Sequence, residues 1–73
     1  MEKLMKLLSE IRSDVNFNEE NNLIGDSILD SFDIIQIITS IDDEFDIKIP
    51  PADIVPENFN SMEAIWEMMQ RLQ

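Results

Sequence analysis

Seventy-three residues with no cysteine and no histidine make one small domain, without disulfide staples, thiolate metal sites or the commonest general base. Sixteen acidic residues against five basic ones give a net charge of -11, which repels nucleic acid and anionic membranes and favours partners with basic docking patches. The 44% apolar content is too high for a disordered acidic tail, so the expectation is a folded, non-enzymatic domain spanning residues 1–73.

The first predicted element runs from about Glu2 to Asp14. Leu4, Leu7, Leu8, Ile11 and Val15 recur at the spacing of one helical face. The opening "MEKLMKLLSE" has alternating charges and no small-residue cleavage site, unlike a signal peptide. Apolar runs are too short to span a bilayer. A cytoplasmic monomer is the expectation.

The helical period then disappears through "NFNEENNLIGDSILD", which holds the only glycine and reads as a long loop. Loops of this length without regular structure are often functional. Leu23, Ile24, Ile28 and Leu29 predict that it packs against the core. Asp30 or Ser31 is a suitable N-cap for the next helix, with Asp33 at the positive end of its dipole. That helix is expected to reach Asp46, with Ile34, Ile38, Ile41 and Phe45 facing inward and Ile37 at the edge of that arc. Phe32 and Ile35 fall outside it, beside Gln36, Thr39, Asp42, Asp43 and Asp46. Apolar residues ringed by acids read as a docking surface. Packing of Phe32 and Ile35 under the loop or the short helix is the competing explanation.

Prolines interrupt "DIKIPPADIVPENFN", leaving room for one short helical turn at Pro51–Ile54. Asn60 or Ser61 then caps a last helix with an apolar stripe of Met62, Ile65, Trp66 and Met69. The expected architecture is all-α, a small bundle of three main helices plus one short helix. The calcium-loop pattern is absent, so no specific metal site is expected, although Asp42, Asp43 and Glu44 suit weak divalent binding.

The stretch "LDSFDIIQIITSIDDEFDIKIP" resembles the acyl carrier protein family, which includes peptidyl and D-alanyl carriers. The matching features are Asp30-Ser31-Phe32, Gln36, Asp42-Asp43-Glu44, Phe45 and Ile49-Pro50. The resemblance implies an acyl-carrier-protein-like bundle and a 4'-phosphopantetheine arm, derived from coenzyme A and attached to a serine. The arm's thiol would hold an acyl or aminoacyl group as a thioester and shuttle it between enzymes. Ser31 would be the attachment point, with Asp30 helping to present it. Phe32, Ile35, Gln36, Thr39, Asp42 and Asp43 would face partners. These are a phosphopantetheinyl transferase, an activating ligase or synthase, and an acyltransferase.

A second Asp-Ser pair, Asp26-Ser27, lies four residues earlier. Ser31 stands fourteen positions before Phe45 and Ser27 eighteen. The shorter distance fits the family's helix, so Ser27 is assigned to the loop. Fatty-acid carriers have Leu and Glu where this chain has Phe32 and Gln36. Asp-Ser-Phe and the run Phe59-Asn60-Ser61 resemble D-alanyl carriers. Small acyl or aminoacyl cargo such as D-alanine is therefore favoured over fatty-acid or polyketide intermediates. The alternative is a non-covalent acidic helical adaptor in which Ser31 is only a helix cap.

Overall fold

In the computed structural model, which describes residues 2–73, the regular elements are helical. They are α1 (Glu2–Ile11), α2 (Ser31–Phe45), a 3-10 turn (Pro51–Asp53), α3 (Pro56–Phe59) and α4 (Met62–Leu72). The three long helices lie where the apolar periodicity places them. Helix α1 stops three residues early, its last bond running from the Arg12 N–H to the Leu8 carbonyl at 2.9 Å. The Pro51 turn is of the 3-10 type, and the short α-helix follows it with Pro56 at its first turn. Two prolines in six residues allow two short starts but no continuous helix.

Helices α1 and α2 run antiparallel. Near one end of the pair the Lys3 ammonium donates to the Glu44 carbonyl (3.3 Å) and lies over the Phe45 ring, 5.2 Å from its centroid. At the other end Arg12 meets Asp33. Leu4 and Leu8 of α1, Ile37 and Ile41 of α2, and Ile65, Met68 and Met69 of α4 are fully buried between the helices. Phe59 of α3 joins them.

The loop between α1 and α2 contributes to the same core. Leu23 and Leu29 are buried, while Ile24 and Ile28 pack against it partly exposed. Phe17 is also buried. Asn60 ties the loop down. Its carbonyl accepts from Leu23 N–H at 2.8 Å, and its side-chain oxygen accepts from Ile24 N–H at 2.9 Å. Ser61 is therefore the cap of α4, its hydroxyl accepting from Ala64 N–H at 3.0 Å.

The inward face of α2 differs from the expected arc. Asp33, Ile37 and Ile41 are buried, whereas Ile34, Ile38 and Phe45 are only partly so. At about 100° per residue the core-facing direction is turned by roughly 70°. Apolar counting treats an aspartate as a solvent marker, but this one is neutralised by Arg12 and can point inward. In α4 a similar adjustment buries Met68 and leaves Trp66 half-exposed.

Candidate functional site

The site is built at the start of α2. Asp30 has extended backbone (φ -110, ψ -174) and its carboxylate accepts from the Asp33 N–H at 3.0 Å. The Asp33 carboxylate reciprocates, accepting from the Asp30 N–H at 3.2 Å. This is a capping box made from two aspartates. Asp30, and not Ser31, is therefore the cap, and an explanation of Ser31 as a helix cap fails. The Ser31 hydroxyl takes no part in the cap, and the residue is exposed.

Behind the box lies Arg12, the residue that follows α1. Its Nη1 donates to Asp33 Oδ2 at 2.6 Å and to the Ile28 carbonyl at 2.9 Å. Nε and Nη2 form a bidentate pair with the Asp14 carboxylate, both at 2.9 Å. Hydrogen bonds to Asp14 first, and to Asp33 next, push the guanidinium pKa up. The hydrogen bonds from Arg12 hold the Asp14 carboxyl below the ordinary aspartate range. One side chain thus joins both ends of the loop to the first turn of α2. No pattern in the sequence pairs a helix-terminal arginine with an aspartate 21 positions later; only the fold brings them together.

The predicted partner-facing residues share one exposed side of α2. Phe32 is 79% exposed and Ile35 59%, so Ile35 does not pack under the loop. Gln36, Thr39 and Asp43 are exposed as well, and Asp42 is half-exposed with Lys48 at 3.8 Å. Ile35, Gln36 and Thr39 line one wall of a groove of about 410 Å³, and Glu10 and Ile11 of α1 form the other.

The chain matches the family described as "Phosphopantetheine attachment site" over residues 2–65. The chain belongs to this family. It is thus a carrier domain of the acyl carrier protein type, and the cofactor of this family is covalently attached 4'-phosphopantetheine. The chain is also 41% identical over 46 residues to "Aminoacyl carrier protein 1" of Bradyrhizobium diazoefficiens. That alignment takes in 62% of this chain and 51% of the relative, so the chain spans about half the relative's length.

The start of α2 fits the phosphopantetheine group. The first intrahelical bond runs from Ile34 N–H to the Asp30 carbonyl, so the Ser31 and Phe32 N–H groups precede it and can face an anion. Of the two carboxylates nearby, Asp33 is already paired with Arg12, which limits repulsion of a phosphodiester. The thiol that a cysteine-free chain lacks is what this arm supplies when bound. Among the described residues there is no cluster suited to a metal ion and no helix long and apolar enough to cross a membrane.

The run Phe59-Asn60-Ser61 has a structural account. Phe59 is fully buried, Asn60 holds the loop and Ser61 caps α4. Each residue has a task in the fold.

Proposed function

We propose that Ser31 is the attachment serine and that the domain carries a small acyl or aminoacyl group, with aminoacyl cargo such as D-alanine preferred. The observation that carries the first part is the capping box. Asp30 and Asp33 satisfy the cap between them, leaving an exposed hydroxyl at the first position of a fifteen-residue helix. In the transfer, Ser31 Oγ bonds to the pantetheine-bearing phosphorus of coenzyme A. The pyrophosphate P–O bond breaks to release adenosine 3',5'-bisphosphate, and the hydroxyl proton passes to a base on the transferase.

Cargo preference is supported by the aminoacyl carrier relative. The partners are a phosphopantetheinyl transferase, an aminoacyl-activating ligase and an enzyme that removes the cargo. Their recognition rests on Phe32 and Ile35 as apolar contacts, with Gln36, Thr39, Asp42 and Asp43 as the polar border. Complementary basic patches would raise association rates at low salt.

Incubation with coenzyme A and a transferase, followed by intact-mass measurement and peptide mapping, tests the attachment. The expected product carries one phosphopantetheine on Ser31, and a group mapped elsewhere would refute the assignment. Loading of the modified protein by D-alanine-activating and other amino-acid-activating ligases, compared with transfer from fatty-acyl thioesters, tests the cargo. Faster fatty-acyl than aminoacyl loading would reverse the preference.

A further inference from the structure

We infer that Arg12 is a positioning residue for the modification of Ser31, an inference that rests on Ser31 being the attachment serine. Arg12 directly follows α1, at the beginning of the loop, yet its guanidinium binds groups at the far end of that loop. Nη1 reaches the Ile28 carbonyl at 2.9 Å and the Asp33 carboxylate at 2.6 Å. Residues 13–27 are thereby closed at their base, and the chain entering α2 is held from behind.

The link to Ser31 has one intermediate. The Asp33 oxygen that receives Arg12 also receives the Asp30 N–H at 3.2 Å. Asp30 immediately precedes Ser31, so the guanidinium fixes the peptide that delivers the serine. A guanidinium suits this work because its planar fork presents several donors in fixed directions. Here it engages Asp14 with Nε and Nη2 while Nη1 serves Ile28 and Asp33. A lysine ammonium, as a compact point charge, does not reproduce that spread.

Electrostatics add a second role for the same contact. Asp33 is only 7% exposed, and without Arg12 its charge would be both buried and unpaired. The carboxylate would then turn toward water, opening the capping box, or remain as an uncompensated negative charge beneath the incoming phosphate. Either outcome opposes transfer to the neighbouring hydroxyl. Arg12 itself makes no hydrogen bond to the serine; its partners are Asp14, Ile28 and Asp33.

The test is transferase kinetics on Arg12→Gln and Arg12→Lys, at a temperature where circular dichroism shows each variant folded. If the competent conformer falls to about one-tenth of the population, the apparent KM for the carrier rises about tenfold. Arg12→Gln is expected to show that rise with kcat held, because the bound carrier still presents Ser31. Arg12→Lys should lie between Arg12→Gln and the parent chain. Hydrogen exchange at the Asp30 and Asp33 amides, which the capping box protects, should quicken in the same order. A lower melting temperature with an unchanged KM would reduce Arg12 to a structural role and overturn the inference. Should Arg12→Gln not fold, Arg12→Lys decides alone, and parent-like KM and exchange would overturn it equally. A parent chain that takes up no group on Ser31 would bring down the attachment reading itself, an outcome visible before any variant is made.

Discussion

The two Asp-Ser pairs of this chain share a dipeptide and little else. Asp26 accepts a hydrogen bond from Asn22 Nδ2 at 3.2 Å, and Ser27 follows with φ 57, in the left-handed region. Its N–H donates to the Ile24 carbonyl at 3.0 Å, which closes a tight turn. Asp30 instead caps α2, and Ser31 opens that helix. The first serine belongs to a turn that reverses the chain, and the second stands at a capped helix entrance backed by Arg12. Identical local chemistry is given different uses by the hydrogen bonds behind it.

The largest expected effect separates the serines outright. In Ser31→Ala the only remaining Asp-Ser serine is Ser27, and mass measurement after prolonged incubation with transferase should find no phosphopantetheine. Uptake on Ser27 would erase the functional contrast between the pairs. The loop that presents them depends on Asn60, whose side-chain oxygen serves Ile24 N–H and, at 3.4 Å, Gly25 N–H. Asn60→Ala should lower stability in urea unfolding by about 1–3 kcal/mol, the cost of leaving such groups unsatisfied.

Next comes the contrast between the aspartates. Asp30→Ala should cost about 0.5–2 kcal/mol as the loss of an N-cap, whereas Asp26→Ala should stay within about 0.5 kcal/mol of the parent. Equal costs would mean that the capping box contributes nothing beyond a surface contact. Ser27→Gly probes the turn. Relief of the left-handed conformation, less the entropy lost by glycine on folding, should stabilise the chain by about 0.5–1 kcal/mol. Modification at Ser31 should be unaffected, as read by the same mass assay.

The smallest effect concerns Asp14, the outer partner of Arg12. Its carboxyl pKa is depressed by the Arg12 hydrogen bonds, so the folded state binds that proton less readily than the unfolded chain. The associated stability is present above the unfolded aspartate range and is lost as pH falls through the lower folded value. An NMR titration should place the Asp14 midpoint below that of Asp14 in urea-unfolded chain. Solvent screening at this exposed pair keeps the consequence for unfolding small.

Much of this organisation is legible along the chain. Leucine spacing marks α1, because a helix buries one stripe and exposes the rest. The hydrophobic surplus on α2 also reads correctly, with Phe32 and Ile35 left in solvent. Prolines mark the break before α3 but do not distinguish a 3-10 turn from an α-helical one, since both tolerate Pro at their start. The inward direction of α2 is not legible in the same way, because Asp33 counts as polar until its partner is known.

Read along the chain, the residues therefore mark the three long helices, the acidic side of α2 with its two exposed apolar residues, and the family that the Asp-Ser motif resembles. These depend on periodicity and short spacing, which are local properties of a chain. Tertiary structure alone decided which residue caps α2, where Asn60 points and what stands behind Ser31. Arg12 and Asp33 are 21 positions apart, and Asn60 and Ile24 are 36. Contacts at such separations leave no periodic trace, because they exist only once the helices have packed and the loop has closed over them.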